Sequence, residues 1–236
     1  MSTKEYIGDE LELFRNANNW KAYFSALIAP HLCGRVLEVG AGLGGTTVAL
    51  AALGASQWVC LEPDPRLHHE LIATLDHRTW PCAVESRTGT LSDLPDSEMF
   101  DTIIYIDVLE HIFDDRAELA LAARHLTPGG KLVVLSPAFP FLFSEFDAAI
   151  GHHRRYTKAS LLTLTPTGLR PILCRYLDLV GLFASLANLV LLRASLPSPE
   201  QIRAWDQFMV PLSRVLDVVV RFTFGRSILV IWSCER

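Results

Sequence analysis

The sequence predicts an α/β fold built on a doubly wound, mostly parallel sheet of seven strands, with a helical insertion before the last strand. Short apolar runs alternate with amphipathic segments along most of the 236 residues, which is the pattern of a parallel sheet with helices on both faces. The first run ends in a glycine-rich stretch, VLEVGAGLGG at 36–45. Such a turn joins a strand to a helix and lets backbone approach a ligand at the carboxyl edge of the sheet.

The elements follow in chain order. Apolar side chains at helical spacing predict a helix over 5–29, which Pro30 ends. Short apolar runs predict strands at 35–39, 58–64, 82–86, 99–107, 131–137, 172–180 and 227–232. Helices are predicted between them at 46–53, 65–75, 114–126 and 157–164. Pro65 suits the first position of its helix, and Thr157 is a suitable N-cap.

We expect one domain over 1–236, since the chain shows no internal repeat and no low-complexity linker. It divides into an N-terminal lid helix at 1–30, a cofactor-binding core at 31–180, a helical cap at 181–224 and a last strand at 225–236. The cap is strongly apolar, and the stretch 177–196 approaches the length of a membrane span. We expect it to pack over the substrate crevice or in a homodimer interface; a surface that meets lipid or a lipid-linked acceptor is the alternative.

The composition excludes several classes of protein. A net charge of −5 argues against a large nucleic-acid-binding surface. The five cysteines are scattered and never form a CxxC, so neither a disulfide framework nor a zinc ribbon is indicated. The N-terminal stretch MSTKEYIGDELELF lacks the apolar core of a signal peptide, which predicts a cytoplasmic location.

The glycine turn fits two cofactors, and Glu38 favours one of them. Gly40, Gly42 and Gly45 have the spacing of a dinucleotide-binding turn. A carboxylate beside a pyrophosphate would cost on the order of 4 kcal/mol in a partly screened site. S-adenosylmethionine (SAM) carries an ammonium and a sulfonium instead of phosphates, so Glu38 favours SAM over NAD, with an NAD-binding oxidoreductase as the alternative. Glu62 follows the second strand, where a carboxylate accepts the ribose hydroxyls of either cofactor.

Together with DTIIYIDVLEHI at 101–112 and LTPGGKLVVLSP at 126–137, these segments resemble class I SAM-dependent methyltransferases. ELELFRNANNWKAYF at 10–24 resembles their N-terminal lid helix, and GHHRRYTKASL at 151–161 resembles the segment after their fifth strand. The resemblance implies a Rossmann-like methyltransferase fold whose last strand is antiparallel.

The same resemblance implies a set of cofactor-binding residues. Glu38 and the turn would approach the methionine part of SAM, Glu62 the ribose and Pro63 the adenine. Thr90 stands where the family often has an acidic residue that contacts the adenine amino group, so Thr90 and the backbone of Leu91 would read the adenine here. The full set is Trp20 and Tyr23 in the lid, Glu38, Gly40, Ala41, Gly42, Glu62, Pro63, Thr90, Leu91, Asp107 and Val108.

Methyl transfer to a hydroxyl requires a base, and histidine titrates near neutral pH. Three histidines follow the fourth and fifth strands: His111, His152 and His153. We expect His111 or His153 to be the base, with Tyr156 and Arg154 orienting the substrate; the alternatives are that His111 holds a tight turn and that 152–156 anchors a loop. The aromatic loop 137–147 either covers the sheet edge or, through Phe139 and Phe143, forms an apolar wall for the acceptor.

The predicted activity is O-methylation of a small or mid-sized acceptor at a hydroxyl or carboxylate. N- or C-methylation remains the alternative, because the shape of the acceptor pocket cannot be read from the sequence. Asp107, Glu110 and His111 share one face of a helical turn, and some ubiquinone-pathway O-methyltransferases have a similar E-x-x-E-H stretch with a divalent cation. Similar stretches of sequence occur in metal-free relatives, so we expect no metal, with a divalent cation as the alternative.

Overall fold

The computed structural model describes residues 9–189 and 197–235. Seven strands form one sheet in the order β3-β2-β1-β4-β5-β7-β6. Their bounds are β1 Gly34–Val39, β2 Ala55–Glu62, β3 Ala83–Thr88, β4 Phe100–Ile106, β5 Leu126–Pro137, β6 Leu169–Leu177 and β7 Ser227–Cys234. The first five strands pair in parallel, and β7 runs antiparallel to both of its neighbours. The predicted fold class is therefore confirmed.

Helices cover both faces of this sheet. Their bounds are α1 Asp9–Phe14, α2 Asn18–Ile28, α3 Gly45–Leu50, α4 Pro65–Asp76, α5 Asp115–Arg124, α6 Glu145–Ala149, α7 Lys158–Leu162, α8 Leu179–Ala187, α9 Pro199–Ala204 and α10 Val210–Val219. Thr157 is the N-cap of α7, as predicted, and its side chain accepts the backbone N–H of Ser160. The predicted N-terminal helix is broken into α1 and α2, because Ala17 leaves the helical region with ψ 68°. Residues 5–8 of that prediction lie outside the described residues.

The core lies on both faces of the sheet, because successive side chains of a strand point to opposite sides. On β4, Ile103 belongs to one buried cluster and Ile104 to the other, and neither is exposed. Helix α5 covers the first face through Leu119, whereas Phe24 of α2 and Leu71 of α4 cover the second. This two-sided burial explains why the parallel strands read as nearly continuous apolar runs.

Two buried aspartates attach the cap, α8 to α10, to the rest of the domain. Asp178 accepts the indole N–H of Trp205 at 2.8 Å and the hydroxyl of Ser213 at 2.7 Å. Asp217 accepts the backbone N–H of Asp178 at 2.7 Å and the hydroxyl of Tyr23 at 2.7 Å. Within the two described ranges, no helix combines the length and the apolarity needed to cross a bilayer. The hydrogen bonds of Asp178 and Asp217 thus fix the cap beside the edge at which the parallel strands end.

Candidate active site

A cavity of about 1600 Å³ opens at the carboxyl edge of the sheet. One end lies against the turn after β1 and the residues that follow β2, and the other end lies against the loop after β5 and the cap. The carboxyl edge is where ligands bind in open α/β sheets, and the volume exceeds what most single small ligands fill. The cavity therefore has room for a cofactor and a second molecule.

The first end of the cavity is formed by the glycine turn. Gly40 has φ +69°, and a Cβ there would lie 2.7 Å from Cγ2 of Val108, so this position requires glycine. The Gly42 N–H donates to Oε2 of Glu62 at 2.8 Å, and the Asp64 N–H donates to Oε1 at 2.9 Å. Burial raises the pKa of Glu62, and these two hydrogen bonds oppose the shift. The predicted cofactor residues on the cavity wall are Trp20, Gly40, Ala41, Gly42, Glu62, Pro63, Asp107 and Val108.

Glu38 does not contact the cavity, which corrects the prediction that its carboxylate faces the cofactor. Only 2% of the residue is exposed, and Oε2 accepts the hydroxyl of Thr47 at 2.5 Å and the indole N–H of Trp58 at 2.8 Å. Burial raises the pKa of Glu38 to about 7 despite these donors. Its carboxyl group joins α3 to β2 behind the turn, so it cannot distinguish SAM from NAD by direct contact.

Three further residues of the predicted cofactor set lie off the described cavity wall. Tyr23 is buried with its hydroxyl on Asp217, so it holds α2 against α10 instead of closing a lid. Thr90 caps a short 3₁₀ turn by bonding to Asp93, and the side chain of Leu91 is fully buried in the core. Contact of Thr90 and the Leu91 backbone with an adenine stays a prediction.

The middle of the cavity holds a cluster of ionisable side chains after β4. Asp107 has φ +53°, a left-handed conformation in which a non-glycine residue often marks a functional site. Its side chain lines the cavity, and loss of contact with bulk water raises its pKa to about 6, against the opposing charges of His152 and Arg226. Glu110 is fully buried, and no described residue makes a hydrogen bond of ordinary length to either carboxyl oxygen, although the hydroxyl of Ser136 lies near enough to lower its pKa. Burial, and then the charge of Asp107, raise its pKa well above the ordinary value.

Two histidines complete this cluster. The rings of His111 and His152 meet edge to face with their centroids 4.6 Å apart. Nε2 of His152 lies 3.7 Å from Oε1 of Glu110. Burial, followed by the charges of the two neighbouring histidines, lowers the pKa of His111 to about 4, so its imidazole is neutral at pH 7. One ligand atom each from Glu110, His111 and His152 lie within 4.8 Å of one another, a set that could hold a metal ion.

His152 is oriented by a buried carboxylate that the sequence analysis missed. Oδ1 of Asp147 lies 2.9 Å from Nδ1 of His152, and Arg155 donates to both oxygens of Asp147 at 2.9 Å. Although burial alone would raise it, the bonds from His152 and Arg155 lower the pKa of Asp147 well below its ordinary value. An ionised carboxylate can only accept, so Nδ1 of His152 must carry the proton. In the neutral imidazole, Nε2 is then the acceptor, and it is directed toward Glu110 and the cavity.

The other predictions in 153–156 are corrected. His153 is exposed and packs on the ring of Phe113, with centroids 5.6 Å apart. Arg154 pairs with Asp115 at 2.7 Å, and the buried hydroxyl of Tyr156 donates to the same carboxylate at 2.8 Å. None of these three side chains reaches the described cavity wall, because the Asp115 pairing directs this part of the loop toward α5.

The second end of the cavity is largely apolar. Phe143 lies on the cavity wall, as predicted. The prediction that Phe139 also lines the cavity is corrected, because the ring of Phe139 stacks between Phe141 and Tyr176, away from the cavity wall. The cavity wall also contains residues that were not predicted from the sequence. They are Arg155, Asp147 and six apolar residues of the loop and cap: Leu142, Phe146, Ile150, Ala184, Trp205 and Met209. Their apolar character was visible, but nothing in the sequence indicated that they would face one cavity.

Comparison with known proteins agrees with this geometry. Residues 37–132 match a family described as "Methyltransferase domain". The human mitochondrial ubiquinone biosynthesis O-methyltransferase is 31% identical over 136 residues, which are 51% of this chain and 35% of that protein. The chain spans between 35% and 41% of the length of the curated relatives it matches.

Solved structures show the same fold at low identity. A complex between the Haloferax volcanii Trm112 methyltransferase activator and a methyltransferase matches with TM-score 0.63 and 17% identity, covering 97% of this chain and 94% of that one. The N-methyltransferase NodS of Bradyrhizobium japonicum in complex with S-adenosylhomocysteine matches with TM-score 0.56 and 14% identity, covering 93% and 86%.

Proposed function

We propose, for a chain whose core is a class I SAM-dependent methyltransferase domain, that it methylates an oxygen of an acceptor with a large apolar part and releases S-adenosylhomocysteine. The observation that carries the proposal is the single cavity that joins the glycine turn to an apolar chamber past His152. The O-methyltransferase relatives support oxygen as the acceptor atom. The apolar wall supports an acceptor whose body is mostly hydrocarbon or aromatic.

The cofactor would lie at the turn end of the cavity. The backbone of Gly40 to Gly42 approaches closest there, and Glu62 and Pro63 border the same space. Asp107, in the middle of the cavity, takes the electrostatic role first expected for Glu38, since its side chain lines the cavity and is exposed to it. A sulfonium and an ammonium nearby would favour its ionised form.

The proposed base is His152. Asp147 fixes its Nδ1–H, so Nε2 takes the proton of the acceptor hydroxyl as the oxygen attacks the methyl carbon. The bond from that carbon to sulfur breaks, its electron pair stays on sulfur, and the imidazolium is stabilised by Asp147. A carboxylate acceptor is already deprotonated and needs no base. Loss of activity without His152 would therefore indicate a hydroxyl acceptor, and full activity without it would indicate a carboxylate acceptor.

A metal-assisted version uses the same residues. Glu110 is buried, and no described residue donates to it, while two imidazoles lie beside it; these are donors that suit a divalent cation. Glu110, His111 and His152 would hold the ion, which, when bound, would polarise an acceptor oxygen and lower the pKa of its proton. This version predicts that activity is lost on exhaustive treatment with EDTA and restored by added metal, whereas the base-only version predicts unchanged activity.

The test uses four probe acceptors with labelled SAM. Three share one para-alkyl chain on an aromatic ring and carry a catechol, a carboxylate or an amine, and the fourth is catechol without the chain. We expect the alkylcatechol to gain one methyl fastest, and catechol itself to react more slowly because it leaves the apolar chamber empty. Transfer to the amine alone, or no gain on any probe with the chain attached, would contradict the proposal.

His152→Ala and His153→Ala form a matched pair of variants. We expect His152→Ala to lower turnover on the alkylcatechol by about 10²–10⁴-fold, the usual contribution of a base. His153→Ala should leave it within about twofold, since this side chain faces solvent on Phe113. Equal rates in both variants would mean that His152 is not the base.

A further inference from the structure

The outer face of α10 and the turn before it is apolar where a soluble helix would be polar. Phe208, Leu212, Val215, Val218 and Val219 are between 51% and 72% exposed. Residues 208, 212, 215 and 219 are spaced by four, three and four positions, which places them on one side of the helix. We refer to these five side chains as the cap face. A contiguous apolar stripe of this kind marks a site of interaction with another molecule.

Two segments that pack with α10 also expose phenylalanines. Helix α8 packs beside α10 through Leu182 and Leu186, which meet Leu216 in one small cluster. Phe183 of α8 is 62% exposed, and Phe141, in the loop that packs on the same cluster through Leu142, is 57% exposed. Large exposed apolar side chains therefore stand on α8 and on the loop after β5 as well as on α10.

The exposed charges of α10 and of the turns on either side of it have one sign, since Arg214 and Arg221 are the exposed charged side chains between 205 and 225. On α9, Glu200 and Arg203 are both exposed. The two carboxylates between 205 and 225 are buried: Asp206 accepts the backbone N–H of Trp20 at 2.9 Å, and Asp217 accepts bonds from α2 and α8. An apolar stripe with exposed arginines beside it complements a lipid surface in which hydrocarbon chains lie beneath anionic headgroups.

We propose that the cap face binds the surface of an anionic lipid bilayer, with its apolar side chains in the interface and Arg214 and Arg221 at the headgroups. A second copy of the chain fits less well, because α10 and the turn before it expose no carboxylate that could face Arg214 and Arg221. Leu189, at the end of α8, is 39% exposed and also lies on the cavity wall.

The proposal is independent of the acceptor chemistry, so it can be tested without an activity assay. The purified chain is floated with vesicles of phosphatidylcholine, with and without phosphatidylglycerol. We expect it to float with the anionic vesicles and to remain below with the neutral ones. High salt should weaken the binding, because part of the attraction is electrostatic.

Two variants of the cap face and two controls identify the surface. Val215→Glu with Val219→Glu should abolish flotation, and Arg214→Glu should weaken partitioning about tenfold. The controls are Phe113→Glu, at a phenylalanine 79% exposed outside the cap, and Arg116→Glu, at an exposed arginine of α5. Both controls should float like the unmodified protein, and circular dichroism checks that all variants are folded.

Three results would overturn the proposal. The first is a failure of the unmodified protein to float with anionic vesicles. The second is equal loss of binding in the controls and the cap-face variants. The third is a solution mass of two chains by light scattering that Val215→Glu with Val219→Glu reduces to one, which would assign the face to a second copy.

Discussion

Two buried carboxyl groups at the ends of neighbouring strands are placed in opposite ways. Glu38 on β1 is 2% exposed, and Glu110, in the turn after β4, is fully buried. Burial raises the pKa of both. Glu38, however, accepts hydrogen bonds from Thr47 and Trp58 behind the turn, whereas Glu110 has none from the described residues and faces His152 on the cavity wall.

The difference shows which of the two belongs to the reaction site. A buried polar group is normally satisfied, so a carboxyl group that is not satisfied carries a cost that folding alone does not explain. Such a group is expected where a proton, a cation or a substrate completes it. Glu38 lies behind the glycine turn and supports its structure, whereas Glu110 lies on the wall of the cavity in which methyl transfer would occur.

The largest expected effect is on the rate of Glu110→Gln. We expect turnover to fall by at least about 10²-fold, because an amide can neither exchange a proton with a neighbouring group nor ligate a cation beside His152, as a carboxyl group can. Stability should stay within about 1 kcal/mol, because an amide replaces a carboxyl group that burial already keeps protonated. Initial rates and urea midpoints test both statements.

Glu38→Gln is the matched control. It should lose about 1–3 kcal/mol of stability by misplacing a donor against Trp58 or Thr47, while the rate per folded molecule changes little. If the rate loss appeared in Glu38→Gln and the stability loss in Glu110→Gln, the contrast between the two groups would be reversed.

The second expected effect is a pH dependence of stability at Glu38. Its pKa is about 7 in the folded chain against a reference value of 4.5, so the folded chain keeps this proton at pH values where the unfolded chain has released it. The resulting stabilisation is complete below about pH 4.5 and is lost as the pH rises to about 7. Between pH 5 and 8 we expect the protein to lose about 2–3 kcal/mol more than Glu38→Gln does. Urea unfolding at the two pH values measures this difference, and an equal loss in both proteins would mean that Glu38 is not a buried titrating group.

The position of Glu38 was within reach of the sequence, although the motif suggested otherwise. Side chains alternate along a strand, so Glu38 shares a face with Val36 and not with Leu37. That face contains Trp58 and Cys60 of the paired strand, and Trp58 supplies one of the donors. The glycine turn lies on the cavity wall because its backbone requirement is local, but the motif does not determine where a neighbouring side chain points.

The histidine loop could not be assigned in the same way. His152 and His153 are adjacent in an irregular segment, so no periodicity indicates which one faces the cavity. Two tertiary contacts decide the orientation of these rings. Asp147 forms a hydrogen bond with Nδ1 of His152, and the exposed ring of His153 packs against Phe113. The sequence predicted the residue types and the right pair of loops; the tertiary contacts decided the orientation.

Glu62 lies between the two extremes and gives the third prediction. Like Glu38 it accepts hydrogen bonds from neighbouring residues, and like Glu110 it borders the cavity. We expect Glu62→Gln to weaken binding of S-adenosylhomocysteine about tenfold, because the amide would face the Gly42 N–H with its own donor or withdraw an acceptor from the ribose. Calorimetric titration measures the affinity, with Glu70→Gln on the exposed side of α4 as the control. Unchanged affinity in Glu62→Gln would place the ribose elsewhere.

The smallest effect is expected at Tyr23, which separates support of the site from contact with it. Its hydroxyl donates to the buried Asp217 at 2.7 Å, and Asp217 also holds the start of α8. Tyr23→Phe should therefore cost about 1 kcal/mol of stability and leave the affinity for S-adenosylhomocysteine within about twofold. Trp20→Ala, three residues earlier on the cavity wall, should weaken that affinity in the same titration. A fall in affinity for Tyr23→Phe as large as that for Trp20→Ala would show that the hydroxyl contacts the cofactor in a closed conformation, and the lid role first expected for Tyr23 would be restored.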